Sequence, residues 1–335
     1  MKAVCLKGPR QVELVDVPVP DIANDQLLIR MGASTICTSD LNDIRANPFD
    51  IPLPVIIGHE AAGTVVGIGQ DVTGFSLGDR ITTHPVHPCG YCSACREGKQ
   101  HLCLNMGHFG IDLQGTMAQY YYVRSDRARH IPDEMPFPLA ALSEPVSVCL
   151  EALAQAKLKA GDSLLIMGDG PFGVLMARLA QTMDLAHVVV AGWQDFRLSF
   201  AKSAQKINTQ HLEEPVPALL QPVDSGYDAV ILAVGSAQAF HQGFQCLKPK
   251  GRLVVFSAIP EGAQVDLMTV HIKEMEIVGA CNDQDRFDEA VQMLTNPALG
   301  IAELITHQFP LSQFEQALHL AENAHDQVMK IALIG

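Results

Sequence analysis

Apolar and polar positions change rhythm a little before the middle of the chain. Over the first ~145 residues, short apolar runs such as Leu27-Leu28-Ile29-Arg30-Met31 and Gly63-Thr64-Val65-Val66-Gly67-Ile68-Gly69 are separated by Gly, Pro and Asp, which predicts short strands joined by irregular turns. From about Pro145 the spacing becomes helical: 146–158 carries apolar residues at the helical repeat, and Ala160-Gly161-Asp162 ends that segment. Leu164-Leu165-Ile166-Met167 then reads as a strand, followed by a glycine-rich turn, a helix over 172–183 and a second strand over 188–191. Further strands are predicted at 229–234, 253–256 and 277–278, with helical stretches between them. Such alternation implies a parallel sheet covered on both faces. A helix-rich piece over 285–323 ends in Met329-Lys330-Ile331-Ala332-Leu333-Ile334, a terminal strand free to return to the first part of the chain.

Composition narrows the class. At 335 residues and 48% hydrophobic, the chain has material for two domains with ample core, and 18% charged residues exclude a disordered protein. Lys and Arg number 23 against 37 Asp and Glu, a formal charge of −14. That sign repels phosphate backbones and argues against nucleic acid, although a local pocket remains free to take an anionic small ligand. The start, Met1-Lys2-Ala3-Val4-Cys5-Leu6, lacks the apolar core of a signal peptide, and no uninterrupted apolar run reaches membrane-spanning length. Nine cysteines without a secretion signal predict reduced thiols and metal in a cytosolic protein. Cys5, Cys149, Cys246 and Cys281 lie in apolar surroundings and read as buried small side chains.

The densest chemistry is Cys89, Cys92, Cys95 and Cys103, spaced C-x2-C-x2-C-x7-C within a lobe at about 85–105. Four thiolates suit tetrahedral zinc and leave no open position for substrate. A [4Fe–4S] pattern shares the first three cysteines, but here the fourth follows after seven residues rather than three, with no Pro behind it. The lobe therefore predicts a structural zinc, and the reactive centre lies elsewhere.

Gly168-Asp169-Gly170-Pro171-Phe172-Gly173 matches G-x-G-x-x-G directly after an apolar strand and at the opening of a helix. Gly168 permits the tight turn, Gly170 lets backbone approach a pyrophosphate, and Gly173 allows close helix–strand packing, while the helix N-terminus offers N–H groups and a positive dipole end. A dinucleotide is thus expected, held by Gly168, Gly170, Pro171, Phe172 and Gly173. The second strand ends at Val190-Ala191-Gly192-Trp193-Gln194-Asp195-Phe196-Arg197, with no carboxylate at 192 to hold the ribose of NAD. Gly192 leaves room for a 2′-phosphate that Arg197 could reach, which favours NADP. Asp195 turned toward the ribose, with Arg197 stacked on the adenine, would favour NAD.

The catalytic candidates lie earlier. Gly58-His59-Glu60 follows the apolar Val55-Ile56-Ile57, and Cys37-Thr38-Ser39-Asp40 lies about twenty residues upstream. Together they supply thiolate, imidazole and carboxylate, the donor types of a zinc that keeps one position open. Glu144, in Ser143-Glu144-Pro145 at the junction of the two rhythms, offers another carboxylate near an expected cleft.

In this order, Cys37, Gly58-His59-Glu60, the four-cysteine lobe, Glu144-Pro145 and the glycine motif resemble the zinc-dependent medium-chain alcohol dehydrogenase family over essentially the whole chain. Glu-Pro at 144–145 looks like the sorbitol (polyol) branch, with threonine dehydrogenase a near relative. The resemblance implies a GroES-like β-rich catalytic domain over 1–148, a doubly wound Rossmann cofactor domain over 149–284, and a return segment over 285–335. It implies Cys37, His59 and Glu60 at a catalytic zinc, with Glu144 as fourth ligand or as anchor of a zinc-bound water. Ser39 matches the hydroxyl that passes the alcohol proton outward, and Asp40 a carboxylate that orients His59. Relatives commonly carry His where this chain has Asn42, so the proton path must end in water, the cofactor ribose or another group.

The implied function is oxidation of a secondary alcohol in a polyol, sugar acid or similar polar substrate, with two zincs per chain and NAD or NADP. The alternatives are a threonine-type hydroxy amino acid dehydrogenase and, from another class, a non-catalytic zinc- and dinucleotide-binding redox sensor. A homodimer or homotetramer is expected, with neither nucleic acid nor membrane as partner. His84 and His87 read as solvated rings on an irregular loop, with His87, beside Pro88, left open as a group that could reach substrate, and His108, His130, His271 and His307 show no convergent partners in sequence.

Overall fold

The computed structural model describes residues 1–48 and 50–335. The first half forms a three-stranded sheet and a seven-stranded sheet, joined by short helices and turns. In the strand Gln26–Thr35, Leu27, Ile29, Met31 and Ala33 are buried at alternate positions, as a half-buried strand requires. This strand pairs antiparallel with Glu60–Ile68 on one side and with Tyr120–Arg124 and the terminal Lys330–Ile334 on the other. The last residues of the chain thus complete a sheet begun by the first.

The second half holds six parallel strands. Counted along the chain from Ser163–Met167 to Glu276–Gly279, their spatial order is 3-2-1-4-5-6, the doubly wound arrangement that binds ligands where the order reverses. Successive side chains leave opposite faces. Leu164, Ile166, Val190, Ile231 and Val254 join one core, while Leu165, Met167, Val189, Val230, Leu232 and Leu253 join another. Each such burial contributes about 1.5–3 kcal/mol, so helices must cover both faces.

Strand and helix boundaries shift modestly from the apolar spacing. The strand expected at 253–256 runs Leu247–Val255, because Leu247 already pairs with Tyr227 and the ladder resumes at Arg252 after an irregular Lys-Pro-Lys-Gly stretch. The helix expected over 172–183 is Pro171–Leu179, followed by a tighter turn over Ala180–Thr182.

The helix Ser143–Ala156 joins the two halves. It packs against the strand Glu60–Ile68 of the first sheet and against Tyr227–Leu232 and Leu247–Val255 of the second. Counted with its preceding turn, Phe137–Gln155 is apolar and long enough to cross a membrane, but 78% of its most apolar window is buried inside the protein, as befits a core helix. Glu144 lies in its first turn, where a helix end favours negative charge.

Candidate functional site

Two donor clusters occupy the first half. Cys37, His59 and Glu60 each offer one ligand atom, all within 4.8 Å of one another, and all three residues are buried. Cys37 immediately precedes the helix Thr38–Ala46 and is buried. Asp40, one turn on, accepts the Cys37 backbone N–H through Oδ2 at 2.8 Å. Its Oδ1 lies 3.1 Å from His59 Nδ1, which orients the ring and leaves Nε2 for a ligand or substrate. Ser39 Oγ stands 3.4 Å from that Nε2 and is half-buried.

Both oxygens of Glu60 have partners. Oε1 accepts from Lys330 Nζ at 2.7 Å, and Oε2 accepts from the Thr35 hydroxyl. Lys330 is 4% exposed and Glu60 wholly buried, so this is an interior ion pair. The Lys330 ammonium also lies 5.8 Å from the centre of the Phe172 ring, at the start of the glycine-loop helix. Glu144 differs: it is buried, and its Oε2 has no hydrogen-bond partner among the described residues.

The protonation tendencies of the cluster agree with one another. Burial, then the Glu60 carboxylate, pushes the Cys37 thiol up. Burial raises the Glu144 carboxyl to about 8. Burial opposes a charged His59, yet the Asp40 carboxylate outweighs it and holds the imidazolium well above its usual range. Thiol, carboxyl and imidazole are thus each shifted toward the protonated form, whose proton a cation would displace. A soft sulfur, a nitrogen and an orphaned carboxylate oxygen fit zinc.

The second cluster is Cys89, Cys92, Cys95 and Cys103, again with ligand atoms within 4.8 Å of one another. Cys89 and Cys95 sulfurs lie 4.0 Å apart and those of Cys92 and Cys103 3.8 Å apart. A tetrahedron with Zn–S bonds of about 2.3 Å has an edge of about 3.8 Å, whereas a disulfide needs about 2.05 Å. The loop reverses at Gly90 (φ 79°) and Gly98 (φ 75°), left-handed positions suited to glycine. Backbone N–H groups of Cys89 and Asn105 donate to Cys103 Sγ at 3.2 and 3.4 Å.

The glycine loop sits at the reversal point of the parallel sheet. Gly168 has φ 125°, and a Cβ on Gly173 would fall 2.0 Å from the Gly168 carbonyl oxygen, so this close approach requires glycine. A Cβ on Gly170 would meet nothing within 4 Å. The loop therefore leaves open space in front of a helix whose first N–H groups lack intrahelical acceptors, as a pyrophosphate requires. Pro171 opens that helix, and Phe172 stacks edge-on against Phe256 at 5.3 Å.

The room expected beside Gly192 is filled, because the Asp169 side chain lies across it. Arg197 is directed away from the strand end, donating to the Val328 carbonyl at 3.2 Å and approaching His325 Nδ1 at 3.1 Å. Asp195 accepts from Asn208 Nδ2 at 2.7 Å. Asn42 is exposed to solvent.

Several side chains take places that the sequence alone did not indicate. His84 and His87, expected to be solvated, are 8% and 7% exposed. His84 Nε2 bonds Asp283 Oδ1 at 2.8 Å, and His87 packs edge-on against Phe109. The ring of His108 lies 5.5 Å from that of His59, so this histidine does converge on the site. Cys281 is exposed, unlike Cys5, Cys149 and Cys246. Lys330 and Asp283 carry no local motif, and only the path of the chain brings them in.

Comparison with known proteins matches both halves. Residues 23–133 fit the family described as alcohol dehydrogenase GroES-like domain, and residues 171–296 that described as zinc-binding dehydrogenase. The chain is 31% identical over 325 residues to an L-threonine 3-dehydrogenase of Chromobacterium violaceum, covering 94% of this chain and 95% of that protein. It is 29% identical over 342 residues to a sorbitol dehydrogenase of Bacillus subtilis, covering 99% and 96%. A zinc-binding dehydrogenase of Sinorhizobium meliloti 1021, solved bound to NADP, superposes with a TM-score of 0.93 at 26% identity, covering 100% of this chain and 99% of that one.

Proposed function

Because the chain belongs to the zinc-dependent medium-chain alcohol dehydrogenase family, we propose that it oxidises a secondary alcohol of a polyol, sugar acid or similar polar substrate with NAD or NADP. The observation that carries this reading is the buried cluster of Cys37, His59 and Glu60, within electrostatic reach of which Glu144 keeps a buried carboxylate oxygen with no partner among the described residues. Cys37, His59 and Glu144 would hold the catalytic zinc, with Glu60 behind them; Cys89, Cys92, Cys95 and Cys103 would hold the structural one. When bound, zinc supplies a Lewis acid for the substrate oxygen, and the dinucleotide supplies the hydride acceptor.

The remaining work falls to the protein. Asp40 fixes the His59 ring through Nδ1. Lys330 neutralises Glu60, so the field at the site is set by Cys37 and Glu144 rather than by a third uncompensated anion. Ser39 Oγ accepts the hydroxyl proton and passes it toward solvent, since the exposed amide of Asn42 takes up no proton. Gly170 and the first turn of the helix Pro171–Leu179 receive the pyrophosphate. The domain division at about 148 and 284 belongs to the same reading, with Lys330 bringing the terminal segment back to the site.

A threonine-type activity is the second reading, favoured by the named relative at 31% identity. We also infer a cytoplasmic homodimer or homotetramer. Its support is the apolar edge of the parallel sheet, where Leu267, Met268 and Ile272 are 65–73% exposed beside the edge strand Glu276–Gly279. The test is a panel of polyols, aldonates and hydroxy amino acids offered to zinc-loaded protein with each cofactor and followed by nicotinamide absorbance. Reduction with one class names the substrate. No reduction by any member refutes the dehydrogenase reading, and one zinc per chain confined to the cysteine lobe would leave the non-catalytic sensor standing.

A further inference from the structure

The glycine loop carries a carboxylate that a dinucleotide motif does not require. Asp169 occupies the free position between Gly168 and Gly170, and its side chain crosses to the end of the neighbouring strand His187–Gly192. Its Oδ2 accepts the backbone N–H groups of Trp193 at 2.7 Å and Gln194 at 2.6 Å. A Cβ at Gly192 would come within 2.4–2.5 Å of the Asp169 Cβ, Cγ and Oδ2. The two positions are therefore complementary, since the volume that a side chain at 192 would take is already used by the side chain of 169.

In doubly wound folds the end of this strand is where a carboxylate meets the adenosine ribose. The carboxylate is present here, but it arrives from the loop. With Oδ2 engaged by the backbone, Oδ1 has no hydrogen-bond partner among the described residues, and Asp169 is partly exposed. Arg197 lies within electrostatic reach of Asp169, but its guanidinium is engaged elsewhere, turned toward Val328 and His325. Trp193 and Gln194 are uncharged, and Asp195 is acidic.

We infer that Asp169 accepts the 2′-hydroxyl of the cofactor's adenosine ribose and so sets a preference for the dinucleotide that lacks a 2′-phosphate. The inference rests on the dehydrogenase reading above and deepens it. It also reverses the expectation drawn from Gly192, because the missing side chain marks an occupied place rather than a vacant one.

Trp193 is the sole tryptophan, 59% exposed and bonded through its backbone to Asp169, so its fluorescence reports binding at the adenosine end. Zinc-loaded protein is titrated, without alcohol, with NADH, NADPH and the 2′-deoxyadenosine analogue of NADH. NADH is expected to bind about tenfold or more tighter than either of the others, the scale of a hydrogen bond to a charged group. Asp169→Asn retains an oxygen for the two backbone N–H groups but removes the charge. It should shrink the NADH-to-NADPH preference by about tenfold, with NADPH gaining affinity. Equal or tighter NADPH binding by the wild type, or an unchanged preference in Asp169→Asn, overturns the inference and leaves the dehydrogenase reading intact. If the variant does not fold, equal binding of NADH and its 2′-deoxy analogue by the wild type overturns it alone. Failure of the wild type to bind either natural cofactor refutes both.

Discussion

Replacing Lys330 with methionine isolates the interior ion pair. Methionine keeps the length and apolar stem of lysine, so little packing is lost. What remains is a wholly buried Glu60 whose single surviving partner among the described residues is the Thr35 hydroxyl. Breaking a buried pair by removing one member costs about 3–5 kcal/mol, because the other charge is left without compensation. With an unfolding entropy of about 2.1 cal/mol/K per residue, 335 residues give about 0.7 kcal/mol/K, so the melting midpoint should fall by about 4–7 °C. The assay is scanning calorimetry of wild type and variant at equal zinc loading. Glu60→Gln added to Lys330→Met should restore much of the loss, since two neutral groups strand no charge. A midpoint within about 1 °C of wild type for Lys330→Met, or a double variant less stable than the single one, would refute the argument.

Other perturbations separate the roles assigned to each cluster. Cys89→Ser should lower zinc content from about two to about one per chain and reduce thermal stability before turnover per catalytic zinc, read by metal analysis beside calorimetry; unchanged stability with chemistry abolished would reassign the lobe. Ser39→Ala should lower kcat about 10²–10⁴-fold with zinc content unchanged, and a kcat within twofold of wild type would remove Ser39 from the proton path. Gly173→Ala places a Cβ 2.0 Å from the Gly168 carbonyl oxygen, so it should cost about 1–3 kcal/mol and weaken NADH binding while the zinc count stays the same. Burial holds His87 down at about 3 against its ordinary 6.5, so the unfolded chain gains this proton before the folded one does. Stability is then full above about pH 6.5 and falls by up to about 1.4 kcal/mol per unit as pH drops from there toward 3, and His87→Leu should flatten that part of the denaturation profile.

The parts of the site that were legible in the sequence are those that local spacing encodes. Cys89 to Cys103, Gly58-His59-Glu60 and Gly168 to Gly173 each place donors or cradle atoms within a few residues, where chain geometry alone brings them together. The parallel sheet followed from the same local rhythm, because alternation and helical spacing record which faces are covered, whereas the GroES-like half was implied by the family resemblance. Lys330 was illegible for the converse reason. It stands 270 residues from Glu60 and meets it only because the terminal strand pairs with Gln26–Thr35. His84 and His87 misled because flanking prolines mark an irregular loop, and irregular backbone is commonly solvated. Here the loop lies under Phe109 and Phe287, which bury both rings. Gly192 misled more deeply, since a missing side chain carries no sign of which other residue occupies its place.

The two carboxylates at the catalytic cluster show why donor type alone does not assign a ligand. Glu60 stands next to His59 in sequence and groups with Cys37 and His59 by distance, yet both its oxygens are bonded within the protein and its charge is balanced by Lys330. Glu144 lies 84 or more residues from those groups in sequence, but of these two carboxylates it is the one with a buried oxygen that has no partner among the described residues. A buried polar atom left unsatisfied costs about 1–3 kcal/mol, and more when charged, so the fold tolerates it where a bound group compensates. On the proposed reading, Lys330 would shape the metal site through Glu60 without touching the metal. Were Glu60 uncompensated, it would compete with Glu144 for the cation and close the position that substrate needs. On the proposed reading, Glu144 would be the carboxylate offered to zinc and Glu60 the one held behind Lys330.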